Sequence, residues 1–182
     1  MSDQGTQGLL SPFLRRRRIA AARPWLRGRV FDFGCGSGAL AALVRSEDYC
    51  GYDIDAVLLA AARNAYPRHR FVEAAPATGE WDTVVSLAVI EHSKDPDAFL
   101  RGLVALARPG GRIVLTTPHP AYESIHDLGA RLGVFSHDAS EEHEALLDRE
   151  ALHGLARRQG LAIVLYRRFL FGANQLLVLE RR

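Results

Sequence analysis

The chain alternates between short apolar runs and longer stretches in which apolar residues recur at helical spacing. After a predicted helix over residues 11–23, the short runs are typical of buried strands. They lie at 29–34, 49–54, 69–74, 81–88 and 111–117. Helical stretches separate most of them, and strands joined through helices pair in parallel. The pattern therefore predicts an α/β fold.

Three of the predicted helices begin at an acidic residue. Asp55, Asp95 and Asp148 each precede a stretch with helical spacing, where a carboxylate can accept the first free backbone N–H groups. The sequence Pro-Gly-Gly at 109–111 predicts the end of the helix that follows Asp95.

The C-terminal part of the chain breaks the alternation of strand and helix. Two apolar runs, 161–171 and 175–182, are joined by Gly172-Ala173-Asn174, which is typical of a tight turn. We expect the chain to end in an antiparallel hairpin.

Composition bounds the kind of protein. With 182 residues, of which 48% are hydrophobic and 24% charged, the chain suits one globular domain with a core. No apolar run is long enough to span a bilayer, and the N-terminal residues lack the order of a secretion signal. Cys35 and Cys50 are too few for a disulfide framework, so we expect both to be reduced. These features predict a cytoplasmic protein with no membrane partner.

Positive charge is concentrated near the N-terminus. Residues 1–28 hold six arginines against Asp3, and four of them form the run Arg15–Arg18. We assign 1–28 to a basic helical segment and 29–182 to the main domain. The arginine run fits a solvated helix face. The alternative is a nucleic acid contact, which we do not expect because no aromatic residues interleave the arginines.

The stretch VFDFGCGSGAL, residues 30–40, carries the strongest indication of a ligand. An apolar strand stops at Gly34, and a helix is predicted to begin at Gly38. One glycine suffices for a tight turn, whereas Gly34, Gly36 and Gly38 also let a ligand reach the backbone. The expected helix N-terminus would offer it free N–H groups.

Two acidic residues narrow the choice of ligand. Asp53, nineteen residues after Gly34, stands where a carboxylate binds ribose hydroxyls in dinucleotide sites, so the glycines alone leave a dinucleotide possible. Asp32, however, would repel a pyrophosphate and attract an ammonium or sulfonium group. The chain also has no room for a second catalytic domain, and its terminal hairpin is not needed in a simple dinucleotide fold.

Several motifs in order resemble one family. FDFGCGSG with Asp53, then WDTVVSLAVIEHSKDPDAFL and LARPGGRIVLTTP, resemble the class I S-adenosylmethionine-dependent methyltransferases, in the small-molecule branch that includes quinone-biosynthesis enzymes. The resemblance covers about 30–182. It implies a Rossmann-like, doubly wound, mostly parallel sheet of about seven strands, with helices on both faces and a C-terminal antiparallel hairpin. It also implies methyl transfer from S-adenosylmethionine to an oxygen, nitrogen or carbon of a small molecule.

The resemblance implies a set of cofactor-binding residues. They are Asp32, Gly34, Cys35, Gly36, Gly38, Asp53, Ile54, Ser86 and Leu87. The first five would line the methionine end, Asp53 would hold ribose, and Ile54 would pack on adenine. The family usually has an acid after the third strand, where this chain has Ala74 and Ala75. This departure puts recognition of the adenine amino group in doubt.

Methyl transfer is a direct displacement, so alignment and exclusion of water matter most, and a base is needed only for a nucleophile that keeps its proton. The resemblance implies that Glu91 and His92 lie near the methyl group, and we add His119 as a third catalytic candidate. We interpret 118–147 as a substrate cover, which also holds Tyr122, His126, His137 and His143. Glu91, His92 and a later histidine could bind a metal, but metal-dependent RNA methyltransferases have an acid where this chain has Ala88. We expect no metal.

Three alternative functions remain open. The absent acid at 74–75 would suit a non-catalytic module with the same fold, acting in binding or regulation. The basic N-terminal segment would suit an RNA methyltransferase. The glycine pattern with Asp53 would suit an NAD-dependent oxidoreductase.

Overall fold

The computed structural model describes residues 11–120 and 146–182. Most of the predicted substrate cover, with Tyr122, His126, His137 and His143, lies outside the described residues. The described helices are α1 (Ser11–Ala22), α2 (Ala56–Ala65), α3 (Pro96–Leu106) and α4 (Arg149–Arg158). The strands are β1 (Val30–Phe33), β2 (Tyr49–Tyr52), β3 (Arg70–Val72), β4 (Trp81–Leu87), β5 (Ala107–Pro118), β6 (Ala162–Phe169) and β7 (Asn174–Glu180).

The seven strands form one sheet in the order β3-β2-β1-β4-β5-β7-β6. The first five pair in parallel, and β7 lies between β5 and β6 and is antiparallel to both. The predicted α/β fold, with its mostly parallel sheet and terminal antiparallel hairpin, is confirmed. The insertion of β7 beside β5 was not predicted.

Helices cover both faces of the sheet, as predicted, because each presents a stripe of apolar side chains to it. On one face, Leu100 and Leu103 of α3 pack in one cluster with Leu152 of α4. On the other face, Ala22 of α1 packs in a second cluster with Leu59 of α2. The basic N-terminal helix thus shares a core with α2 on one face of the sheet.

The acidic caps form as the sequence predicts. Asp55 accepts the N–H groups of Val57 and Leu58, at 2.8 and 3.1 Å. Asp95 and Asp148 each accept one N–H group from the first turn of their helix, at 2.9 and 2.8 Å.

Two predicted boundaries are wrong. The helix expected from Gly38 is a five-residue 3₁₀ helix, Ala39–Leu43, which is too short to provide the N-terminal anion site that a full helix offers. The helix α3 ends at Leu106, before Pro109, and the Pro-Gly-Gly sequence lies inside β5. There the register shifts between Trp81 and Thr83 of β4. A bulge absorbs the extra residues.

Two further points concern the cysteines and the search for a membrane-spanning helix. Cys35 and Cys50 are both free thiols and buried. Within 11–120 and 146–182, no helix has the length and apolar character to cross a membrane.

Candidate functional site

The glycine loop between β1 and the 3₁₀ helix contains three left-handed residues. Gly34 has φ 80°, and a Cβ there would meet Val89 Cγ2 at 2.5 Å. Gly36 has φ 53°, and a Cβ there would meet nothing within 4 Å. The first glycine is therefore required by the protein's own packing, whereas the second faces open space.

Backbone hydrogen bonds tie this loop to the end of β2. The N–H groups of Gly34 and Cys35 donate to the Tyr52 carbonyl, at 2.8 and 2.9 Å. The Gly36 N–H donates to Asp53 Oδ2 at 2.7 Å. These three N–H groups are already used within the protein and are not free for a ligand. The bonds hold the loop in one shape instead.

A cavity of about 200 Å³ lies beside the loop. Five predicted cofactor residues line it: Asp32, Gly34, Cys35, Gly36 and Leu87. Ala88, which follows β4, and Arg15 and Arg18 of α1 line it as well. The carboxyl ends of β1 and β4 thus meet the inner face of α1 at the place where open α/β sheets bind their ligands.

Asp32 brings a buried carboxyl group to this cavity. Its residue is only 3% exposed, and Tyr49 donates its hydroxyl to Asp32 Oδ2 at 2.8 Å. Burial raises the pKa of Asp32 to about 7, against the lowering effect of the Tyr49 hydrogen bond, and Asp53 adds a smaller increase. Near neutral pH, the carboxyl group of Asp32 therefore exists in both its neutral and its ionised form.

Asp53 directly follows β2 and reaches the loop from a different setting. It is partly exposed, and besides the Gly36 bond its Oδ1 accepts the Asp55 N–H at 3.0 Å. Ile54 next to it is 86% exposed. Gly38, by contrast, packs inward, since a Cβ there would lie 3.0 Å from Phe71. The rim formed by Asp53 and Ile54 is open to a ligand, whereas Gly38 serves the core.

Ser86 and Leu87 lie on opposite faces of β4, since successive side chains alternate along a strand. Leu87 lines the cavity, while the buried Ser86 Oγ has no hydrogen-bond partner among the described residues. Of these two predicted cofactor residues, Leu87 lines the cavity and Ser86 does not.

The three catalytic candidates lie in three different environments. Glu91 is 1% exposed and accepts the Thr117 hydroxyl at 3.2 Å, and burial raises its pKa. His92 is exposed. His119 lines a separate cleft with Arg149 and other residues near the start of α4. The described residues do not bring these three side chains into one site.

Sequence reasoning missed the contribution of α1. Arg15 donates to Ser37 Oγ at 3.1 Å, and Arg18 donates to Asn174 Oδ1 at 2.9 Å. The two arginines are three residues apart and so share one helix face. This spacing was the signal in the sequence that could have identified both arginines as residues of one site. The interpretation of the run as a solvated face holds for Arg16 and Arg17, which do not line the cavity, whereas Arg15 is exposed and still lines it.

The position of the absent acid is also defined. Ala74 and Ala75 line another cavity, of about 540 Å³, that includes Phe31 and Trp81. The neighbouring Glu73 is turned to Arg63, with 3.1 Å between Oε1 and Nη1. Glu73 does not line this cavity. No group of three or more metal-ligating side chains occurs within the described ranges.

Comparison with known proteins identifies relatives along most of the chain. A family model described as a methyltransferase domain matches residues 7–166. The ubiquinone biosynthesis O-methyltransferase of Cereibacter sphaeroides is 29% identical over 177 residues, which cover 87% of this chain and 69% of that protein. That of Dinoroseobacter shibae is 32% identical over 112 residues, 56% of this chain and 45% of its own length. The chain thus spans less than half of the second relative.

Solved structures match over nearly the whole chain at low identity. Magnesium protoporphyrin IX methyltransferase from Synechocystis with bound SAH has a TM-score of 0.72 and 19% identity, covering 99% of this chain and 90% of that one. An S-adenosylmethionine-dependent methyltransferase from Mesorhizobium loti has a TM-score of 0.66 and 18% identity, covering 96% and 99%. At this identity the likeness shows a shared fold.

Proposed function

This chain belongs to the methyltransferase domain family, and from that membership we propose that it transfers a methyl group from S-adenosylmethionine to a small-molecule acceptor. The sulfonium of the bound cofactor supplies an electrophilic methyl carbon. The protein then has to bind the cofactor, orient the acceptor and exclude water.

One observation carries the proposal: a buried carboxyl group and two arginines line the same cavity. Asp32 fits an ammonium group, and Arg15 and Arg18 fit a carboxylate. The methionine end of the cofactor carries both groups on one carbon. A pyrophosphate would meet Asp32 unfavourably, so the charges favour S-adenosylmethionine over NAD.

The open rim fits the adenosine end. Asp53 is pre-oriented by two backbone N–H groups, and each carboxylate oxygen has a further lone pair for a ribose hydroxyl. Ile54 offers an exposed apolar surface for adenine. Leu87 and the backbone near Gly34, Cys35 and Gly36 complete the wall. Ser86 is left out, because its side chain lies on the other face of β4.

Glu91, His92 and His119 are proposed as residues on the acceptor side. Glu91 follows the cavity-lining Ala88 by three residues, and burial raises the pKa of its carboxyl group, as is common for the general acids and bases of active sites. The names of the relatives, ubiquinone biosynthesis O-methyltransferases, support an oxygen atom as the methyl acceptor. The two free cysteines support the cytoplasm as the compartment.

The cofactor can be tested by calorimetry with S-adenosylhomocysteine on the full chain. We expect binding by the wild type and a loss of about tenfold in the double variant Arg15→Ala/Arg18→Ala, because charge-assisted bonds to the carboxylate disappear. The matched control is Arg16→Ala/Arg17→Ala, which removes the same charge from the same helix outside the cavity. Heat from NAD and none from S-adenosylhomocysteine would contradict the proposal.

The acceptor class needs a separate experiment. We expect label from methyl-tritiated S-adenosylmethionine to pass to the small-molecule fraction of a cell extract and not to added RNA. Label found only in RNA would favour the RNA methyltransferase. Binding of the cofactor without transfer to either fraction would favour the non-catalytic module.

A further inference from the structure

Tyr49 contacts the candidate cofactor site without lining it. It opens β2, where it pairs with Val30 of β1, and it is 2% exposed. From there its hydroxyl reaches diagonally to Asp32 Oδ2 at 2.8 Å. Diagonal neighbours on adjacent strands come close enough for a long side chain to bridge. A core tyrosine of the second strand is thus bonded to a carboxyl group of the cavity wall.

The sheet leaves space for this bond. Gly51 lies directly opposite Asp32 in the register. A Cβ at Gly51 would stand 2.9 Å from the Tyr49 hydroxyl and 2.9 Å from Cys35 Sγ. The backbone of Gly51 is not left-handed, so glycine is needed at this position because a larger side chain would collide with its neighbours, and not because of backbone conformation. The tyrosine hydroxyl occupies the room that glycine provides.

The tyrosine ring is fixed by its neighbours. His69 and Phe71 meet it edge-on, with centroids 5.5 and 5.7 Å away. The ring cannot turn without disturbing both contacts, so the hydroxyl is held at one point. Asp32 consequently has one of its oxygens anchored from inside the protein while its residue borders the cavity.

We propose that Tyr49 is a positioning residue for the cofactor: its hydroxyl orients Asp32 toward the ammonium group of the ligand and favours the ionised form of the carboxyl group. The proposal rests on the proposed function. It extends the site from the residues that touch the cofactor to one that acts through Asp32.

The charges around Asp32 set the expected pH dependence. Tyr49 and Asp53 come from β2 and its end, Cys35 from the glycine loop, and Arg15 and Arg18 from α1. The Cys35 thiol stays neutral because burial raises its pKa. With the pKa of Asp32 raised to about 7, a cationic ligand that needs the carboxylate must displace one proton to solvent below that pH. Affinity therefore falls as pH falls below about 7 and levels off above it.

The test is the pH profile of S-adenosylhomocysteine binding by the full chain between about pH 5.5 and about pH 8, where affinity changes by up to about tenfold per unit. We expect Tyr49→Phe to weaken binding at neutral pH and to move the midpoint upward, since it removes a bond that favours the carboxylate. Asp32→Asn should flatten the profile. Tyr66→Phe is the matched control, because Tyr66 also meets His69 edge-on, at 5.7 Å.

A second ligand separates this role from a structural one. 5′-Methylthioadenosine lacks the ammonium and carboxylate groups, so its affinity should not change with pH or with Tyr49→Phe. A midpoint for S-adenosylhomocysteine that stays in place in Tyr49→Phe, or an equal loss for both ligands, would overturn the positioning role alone. No binding of S-adenosylhomocysteine by the wild type at any pH would overturn the proposed function itself.

Discussion

The two acids beside the glycine loop use the same side chain in opposite ways. Asp32 is buried, bonded to a tyrosine hydroxyl, and has a pKa raised to about 7. Asp53 is partly exposed and is held by two backbone N–H groups at 2.7 and 3.0 Å. A buried carboxyl group responds to the charge of its ligand, whereas one fixed by backbone donors is prepared in advance for uncharged hydroxyls. One end of the site is therefore sensitive to ionisation and the other to geometry.

The largest expected effect is on the free energy of unfolding when the buried Asp32 is changed. An acid whose pKa is raised from 3.8 to about 7 by folding binds its proton more tightly in the folded state. Between those values the free energy of unfolding falls as pH rises, by up to about 1.4 kcal/mol per unit, and it stops falling above about 7. Asp32→Asn does not titrate, so its stability relative to wild type should improve from about pH 5 to about pH 8.

Chemical denaturation of both proteins across that range, without ligand, measures this difference. A difference in stability between Asp32→Asn and the wild type that stays constant with pH would break the contrast between the two carboxyl groups.

The next largest effect is expected on the affinity for S-adenosylhomocysteine when the partly exposed Asp53 is changed. Asp53→Ala should weaken S-adenosylhomocysteine binding by more than about tenfold, since it removes charge-assisted bonds to ribose and releases the Gly36 N–H. Because the loss comes from uncharged hydroxyls, it should be similar for 5′-methylthioadenosine. Calorimetry with both ligands checks this, and a loss confined to S-adenosylhomocysteine would place Asp53 at the wrong end of the cofactor.

The variant Gly36→Ala tests whether a bound ligand occupies the open space next to Gly36. Gly36→Ala meets no protein atom within 4 Å, so it should cost only the left-handed backbone strain of about 1–2 kcal/mol. It should also reduce S-adenosylhomocysteine affinity several-fold, because the methyl group points into open space beside the cavity. Gly34→Ala is the comparison, since its Cβ would meet Val89 at 2.5 Å and lower the melting temperature further. Full affinity in Gly36→Ala would show that the ligand does not approach there.

The smallest effect on binding is expected at Asp55, two residues beyond Asp53. Its carboxylate caps α2, so Asp55→Ala should lower the free energy of unfolding by about 1 kcal/mol and leave affinity unchanged. Denaturation and calorimetry on one preparation check both results. A large loss of affinity would mean that the two acids had been assigned to the wrong tasks.

Local rules predicted much of the fold. The caps at Asp55, Asp95 and Asp148 and the terminal hairpin were confirmed, because each depends on residues that are near one another in sequence. The helix predicted from Gly38 was wrong, because a short apolar stretch does not by itself distinguish an α-helix from a single 3₁₀ turn. The Pro-Gly-Gly bulge was missed because the partner strand determines how extra residues are accommodated.

The sequence by itself determined where most strands and helices lie, that three glycines interrupt one junction, and that acids flank it, since spacing and side-chain chemistry are local properties. Only the tertiary structure decided that Arg15 and Arg18 line the cavity, that Ser86 points away from it, and that Tyr49 bonds Asp32. These contacts follow from the docking of α1 on the sheet and from the register of neighbouring strands. Docking and register are set by the sum of many weak contacts between distant segments, which no single stretch of sequence contains.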